Sequence, residues 1–272
     1  MYTNASVPGA GRERAQDAVF GHVLVGLDDT PESLLAAAQA GVLRAPDGRL
    51  ELLAVAERHL AAHAGMAAPD AEEHVYADTA ANLERAKELV DADEAVLAAG
   101  RLVPLLRLEA ERRGATLIAV GARSHRRLAA LALGGHDVEA LHDAPCSVLL
   151  ARPGWGPHRP DRIVVAIDGS PESRAAEETA RALAARLGCD LVPAVGLADA
   201  AAPDVLRAER ENGLVDPRPL LDAVAEAATA ASLVVVGRRA PRRGRRADLA
   251  ERAAYRVRCS VLVVRHHMPA QG

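Results

Sequence analysis

Val23-Leu-Val-Gly-Leu-Asp-Asp-Thr-Pro-Glu-Ser33 and Ile163-Val-Val-Ala-Ile-Asp-Gly-Ser-Pro-Glu-Ser173 are two versions of one stretch, 140 residues apart. Each is a short apolar run that ends in an acidic turn and a Pro-Glu step. Apolar runs of this length without polar alternation read as strands covered on both faces. The hydroxyl residue before each proline, Thr30 or Ser170, starts a helix: its oxygen can accept from an orphan N–H, and proline is tolerated at the first helical position. Two more blocks repeat in the same order. Leu117-Ile-Ala-Val-Gly121 matches Leu233-Val-Val-Val-Gly237 at an offset of 116, and Cys146-Ser-Val-Leu-Leu150 matches Cys259-Ser-Val-Leu-Val263 at an offset of 113. Offsets falling from 140 to 116 to 113 mean that the second copy is shorter by 24 residues in its middle and by three near its end. A repeat of this kind decides the architecture before any single motif does.

Outward from these blocks, strands and helices alternate. A helix runs from Pro31 to about Leu43, a strand from Leu50 to Val55, a helix from about Glu72 to Val90, and a short strand from Glu94 to Ala98. Leu102–Arg113 reads as a helix stopped by Gly114. Leu117–Val120 and Ser147–Leu150 are apolar strands. Strands alternating with helices define a parallel sheet with helices on both sides. The expected fold is therefore α/β: two doubly wound parallel-sheet, Rossmann-like domains in tandem, at 18–151 and 161–266. The segment 152–160, Arg-Pro-Gly-Trp-Gly-Pro-His-Arg-Pro, with three prolines and two glycines, joins them as a linker.

Composition narrows the function classes. Aromatic residues make up 2% of the 272-residue chain, so the cores are built from Ala, Val and Leu. Lys87 is the only lysine among 33 basic residues, which is a compositional bias and strips individual arginines of special meaning. A net charge of −4 provides no global attraction to nucleic acid or to an anionic membrane. Cys146, Cys189 and Cys259 have no CxxC spacing and read as reduced thiols. No leader-like segment or long uncharged apolar stretch is present, so a cytoplasmic location is expected, with no membrane and no specific nucleic acid as partner.

In a doubly wound sheet, ligands sit beyond the carboxyl ends of the strands, where strand order reverses. The acidic turn after the first strand (Asp28 or Asp168) and the glycine after the fourth (Gly121 or Gly237) should meet there. The first copy reads Gly121-Ala-Arg-Ser124, nine residues, then Gly134-Gly135. With the strand-one Asp, the Pro-Cys-Ser-Val-Leu block and the repeat, this resembles the universal stress protein family over about Val19 to Arg265. The resemblance also implies an adenine-nucleotide-hydrolase-like version of the fold. In ATP-binding members it implies an Asp near the adenosine (Asp28), an apolar residue at the end of strand two against adenine (Val55; Val195 in the second copy), and a glycine loop around the phosphates. The candidate ligand residues are thus Asp28, Val55, Gly121, Ser124, Gly134 and Gly135, for ATP or another adenine nucleotide, or for none where the motif has decayed. The resemblance further implies an internal pseudo-dimer, in which the last strands of the two halves, Val148–Leu150 and Val261–Val264, pair.

Both copies depart from the family pattern. Ser124 stands for a glycine and Gly135 for a hydroxyl residue, and an alignment through Gly135-His136 is a second option. In the second copy Ala240, Ala247 and Asp248 occupy the corresponding places. A carboxylate about 4 Å from a phosphate costs roughly 4 kcal/mol at an effective dielectric near 20, and the arginines of the 238–246 loop face it without a glycine cradle. The second copy is therefore expected to serve as a structural partner. Asp28 and Asp168 each have two readings, ligand contact or helix-start residue, with the second the stronger for Asp168. The arginine loop reads as a solvated basic loop, with a contact for an anion, an RNA or an unidentified protein partner as the other reading. No GxSxG, GxxxxGK[ST], HExxH or paired CxxC occurs, so binding rather than catalysis is expected. A nucleotide-free interaction module and a slow ATP hydrolase are the alternatives.

Overall fold

The computed structural model describes residues 19–28, 30–56, 68–122, 144–156, 158–195, 218–238 and 249–265. Ser124, Gly134, Gly135, Asp248 and the arginines at 239–246 lie outside the described residues. In the first half the elements are β1 (His22–Leu27), α1 (Pro31–Leu43), β2 (Arg49–Ala56), α2 (Ala68–Leu89), β3 (Glu94–Ala99), α3 (Leu102–Arg113), β4 (Leu117–Gly121) and β5 (Ser147–Ala151). In the second they are β6 (Arg162–Ile167), α4 (Pro171–Leu187), β7 (Asp190–Val195), α5 (Arg218–Ala227), β8 (Leu233–Arg238), α6 (Leu249–Arg256) and β9 (Ser260–Arg265).

Local chemistry explains the boundaries. Pro31 and Pro171 sit in the first turn of α1 and α4, where a missing N–H costs nothing. Ser170 caps α4 by accepting from the Ser173 N–H at 3.1 Å. Thr30 holds the equivalent place but makes no side-chain cap, although both hydroxyls donate to the acid two residues earlier, Thr30 to Asp28 and Ser170 to Asp168. Gly114 and Gly188 end α3 and α4 with φ of 66° and 63°, a conformation that glycine enters without a Cβ penalty.

The nine strands form one sheet in the order β3-β2-β1-β4-β5-β9-β8-β6-β7. All neighbours are parallel except β5 and β9, which run antiparallel with Val148 opposite Val263, Leu149 opposite Leu262 and Leu150 opposite Val261. The α/β architecture expected from the repeat is present in both halves, and the seam is the last-strand pairing that the resemblance implied. The second half keeps counterparts of β2, β1, β4 and β5 in β7, β6, β8 and β9. Among the described residues it has no counterpart of β3, in line with its 24-residue deficit. On one face of the sheet, α1, α2 and α4 cover Val23, Val25, Leu52, Leu117, Leu149, Ile163, Leu233 and Leu262. On the other, α3, α5 and α6 cover Leu24, Leu53, Ile118, Val164, Val234 and Val261.

A buried polar network ties the halves together. Ser147 Oγ accepts from the Arg265 N–H at 3.2 Å, and Ser260 Oγ accepts from the Arg152 N–H at 3.0 Å. The two bonds are related by the repeat. The Gln39 side-chain amide, fully buried in α1, donates to the Arg152 and Trp155 carbonyls at 2.9 and 2.7 Å and accepts from Ser260 Oγ at 2.8 Å. Arg186 of α4 donates to the Leu43 carbonyl at the end of α1 at 2.7 Å. Buried donors and acceptors satisfied across a seam favour one relative placement of its two sides.

Candidate functional site

Strand order reverses between β1 and β4, so the carboxyl ends of these two strands open a crevice at that point. Asp28 follows β1, and Gly121 ends β4 beside it. Oδ1 of Asp28 accepts the Thr30 N–H at 3.0 Å and also the Thr30 hydroxyl. The Asp28 carbonyl accepts from the Asn82 side-chain amide at 3.0 Å and from Ser33 Oγ at 3.2 Å. Asn82 also donates to the Thr30 carbonyl at 3.2 Å. The turn is thereby pinned from α1 and α2 with Thr30, Ser33 and Asn82 all buried. Sequence reasoning missed Asn82, which carries no motif; only its position one helix later, facing the same turn, marks it.

Gly121 has a second reason to be glycine. A Cβ there would stand 2.4 Å from the Glu32 carbonyl group and 2.6 Å from the Ser33 nitrogen. The end of β4 thus lies directly on the first turn of α1. Gly237 stands in the same relation to α4, with a virtual Cβ 2.2 Å from the Glu172 oxygen. Both glycines admit a close backbone approach that any side chain would block. Aspartate at either position would break the same packing.

Val55 is 1% exposed. It packs in the core on the α3 face with Leu53, Leu106 and Val120, so a ligand beside it would meet its backbone. Its counterpart Val195 is 48% exposed. In the second half, Asp168 Oδ1 accepts the Ser170 N–H at 2.9 Å, which repeats the turn of the first half. Where Ala122 follows Gly121, however, Arg238 follows Gly237, and its guanidinium donates to the Ala144 carbonyl at 2.9 Å.

At the opposite, amino-terminal end of the strands lies an acid–base cluster that the sequence did not reveal. Buried Glu51 meets Arg113 and lies 3.1 Å from His22 Nε2; Arg113 also meets Glu94 at 2.6 Å and Glu109 at 2.8 Å. Glu51, Glu94, Glu109 and Arg113 border a cavity of about 10 Å³, room for one water. Arg113 holds the Glu94 carboxyl below its usual range. Arg112, and then Arg113, does the same for Glu109. The cluster closes the first half's sheet edge and lies far from the strand-end crevice. Cys146, Cys189 and Cys259 are all free thiols, and burial raises each of them, Cys146 to about 12. Among the described residues no helix is long and apolar enough to cross a membrane.

The fold and crevice define a tandem doubly wound α/β protein. Residues 20–152 match the model of the universal stress protein family. That match covers the first half, and the second half repeats its sequence blocks and strand order. A universal stress protein from Archaeoglobus fulgidus has 20% sequence identity and a TM-score of 0.61, over 91% of this chain and 97% of that one. A Pseudomonas aeruginosa protein of unknown function has 20% identity and a TM-score of 0.60, over 93% and 94%. At this identity the likeness is one of fold, and it spans both halves. No curated protein matches the chain.

Proposed function

We propose that the protein is a cytoplasmic, non-catalytic regulatory protein that takes an adenine nucleotide in its first half, at the β1/β4 crevice. The observation that carries this reading is the meeting of Asp28 and Gly121 on the Glu32–Ser33 turn at the point of strand reversal. A carboxylate there can accept from ribose hydroxyls or an adenine amine. The loop that leaves Gly121 contains the further candidates Ser124, Gly134 and Gly135, whose small side chains let backbone N–H groups approach a phosphate. The second half offers the same turn, but Arg238 follows its glycine and reaches into the first half. That half is the structural partner.

The test compares Asp28→Asn with Asp168→Asn in a titration with a fluorescent ATP analogue. Asparagine keeps the oxygen that holds the following N–H and removes the charge. Binding should weaken at least tenfold in the first variant and stay unchanged in the second; the opposite pattern would overturn the assignment. Chromatography of material released from denatured protein identifies the nucleotide.

A second reading has its own support. Oδ1 of Asp28 is already engaged by Thr30, and Val55 is enclosed, as in a nucleotide-free interaction module. Protein that purifies without nucleotide but with a stable protein partner favours that reading.

A further inference from the structure

The sheet ends differently on its two sides. β3 is the last strand on one side and β7 on the other. Among the described residues each pairs along one flank, β3 with β2 and β7 with β6. The phase of each ladder decides which residues face outward. The Arg49 N–H donates to the Gly21 carbonyl at 2.8 Å, so the odd residues of β2 bond towards β1 and the even ones towards β3. The Gly100 N–H accordingly donates to the Ala56 carbonyl at 3.2 Å. Glu94, Val96 and Ala98 thus bond β2, and Ala95, Leu97 and Ala99 turn their N–H and C=O groups outward. Asp93, ahead of the strand, is tied separately to Leu50 through both its N–H and its carboxylate. In β7 the Asp190 N–H donates to the Asp161 carbonyl at 3.1 Å, so Leu191, Pro193 and Val195 face outward. Proline in the middle of that row removes a donor without breaking a bond to β6, which blunts the edge. β3 has neither a proline nor a charge between Glu94 and Gly100.

The acid–base cluster stops at the amino end of β3, and beyond it the surface is apolar. α2 covers β3 on one face, whereas α3 packs on β1 and β2. Val96 and Ala98, on the α3 face, are only partly buried. The flank of α3 that turns to β3 carries Leu105, which a Cβ at Gly100 would meet at 3.0 Å. At helical spacing Leu108 continues that flank outward and is 57% exposed. We propose that two copies of this chain associate through this surface, pairing β3 with β3 antiparallel about a two-fold axis at Leu97. In that register Leu97 opposes Leu97 and Ala95 opposes Ala99, so all three outward residues of each copy exchange hydrogen bonds. The charges agree with it: the exposed acids at the amino end, Asp93 and Glu94, come beside exposed Arg101 at the carboxyl end of the other copy. A parallel pairing would set Glu94 beside Glu94. A head-to-tail pairing of β3 with β7 would build open chains, and Pro193 obstructs it. The strip is about 20 Å long and about 30 Å through its three layers, or about 1,200 Å² in total, at the low end for a specific interface. The dimer is therefore weak, with a Kd in the tens of micromolar.

The test is sedimentation velocity of the full chain from about 2 to about 200 µM, with cooperative urea unfolding as the check on each variant's fold. The wild type should pass from monomer to dimer across that range. Amide exchange should slow at the higher concentration in peptides from β3 and not in those from β7. Leu97→Pro deletes the central outward donor, as Pro193 does in β7, and leaves the bonds to β2 in place. Leu108→Glu charges the flanking surface at a position exposed enough to keep the fold. Each change should weaken the dimer about tenfold or more. A wild type that stays monomeric at about 200 µM overturns the proposal. So does a dimer that folded Leu97→Pro protein still forms with wild-type affinity, or one whose protected amides lie outside β3. Where Leu97→Pro does not unfold cooperatively, Leu108→Glu decides, and an unweakened dimer there overturns the proposal. A monomer that keeps an extended segment of another protein on β3 also overturns it, since the edge then serves a different partner.

Discussion

Gly121 shows how one residue can satisfy two arguments at once. Its place after an apolar strand marks it in the sequence as a ligand-loop glycine, and the structure adds that α1 lies against it too closely for any Cβ. Gly237 meets α4 in the same way. Alanine at either position should therefore destabilise the protein by about 1–3 kcal/mol or more, the range for forcing atoms into packed space. Urea denaturation followed by circular dichroism should show comparable losses for Gly121→Ala and Gly237→Ala. A Gly237→Ala variant as stable as the parent would mean that the β8–α4 approach is looser than described. The acidic turns were legible as strand-end residues, because an acid and a hydroxyl residue followed by proline announce a strand-to-helix junction. The role of Thr30 was not legible. Its sequence is that of an N-cap, and its hydroxyl serves Asp28 as that of Ser170 serves Asp168, yet only Ser170 also accepts an N–H of its helix, a difference of side-chain orientation that residue type does not announce.

Among the elements, apolar strands and capped helices were read with little error. α3 was expected at Leu102–Arg113 with Gly114 as its stop, and it has those bounds. β3 and β5 differ from expectation by one residue at their ends. These elements announce themselves because burial on two faces demands uninterrupted apolar residues, and helix ends demand glycine or proline. The acid–base cluster on β1, β2, β3 and α3 was hidden because its members are 22, 51, 94, 109 and 113, brought together only by strand pairing and by α3 packing on the sheet. Its effect on stability has a definite sign. Glu94 and Glu109 have folded-state pKa values below the usual 4.5, so they hold more protons in the unfolded chain than in the folded one near that pH. The stability they contribute is complete above the ordinary carboxylate range and is lost as pH falls through their lowered values. Urea midpoints measured from pH 6 to pH 3 should fall, and Arg113→Leu should flatten the decline below about pH 4.5. An equally steep decline in that variant would remove the cluster as its cause. At the seam, Val263 is a weak probe of the pairing, being only partly buried opposite Val148. Leu262, fully buried opposite Leu149, is the stringent one. Leu262→Glu should cost several kcal/mol, because it buries an unpaired carboxylate, and should drive the protein into aggregates visible by light scattering.

At the scale of the whole molecule, the repeat dictates why there are two halves rather than one. β5 is apolar and covered on both faces, and without β9 it would be a sheet edge with a row of unpaired N–H and C=O groups. The paired residues Val148, Leu149 and Leu150 are buried, as are Val261 and Leu262 across the seam, so neither half can present this edge to water cheaply. The halves also exchange polar groups: Arg152 caps carbonyls before β9, Arg265 caps the one before β5, and Gln39 reaches the linker and Ser260 together. A chain cut after residue 158 would leave Arg152 without the Val257, Cys259 and Ala254 carbonyls, and Gln39 without Ser260. Its remaining option is to pair β5 with the β5 of a second copy, antiparallel about a two-fold axis, which restores a continuous sheet with apolar residues facing apolar residues. Residues 19–158 expressed alone should therefore run as a homodimer in sedimentation velocity at micromolar concentration. Leu149→Glu in that fragment should abolish the dimer and leave aggregate or unfolded chain. A soluble, cooperatively folded monomer of 19–158 would show that the first half carries its stability unaided, and that the second half is attached for binding rather than for cover.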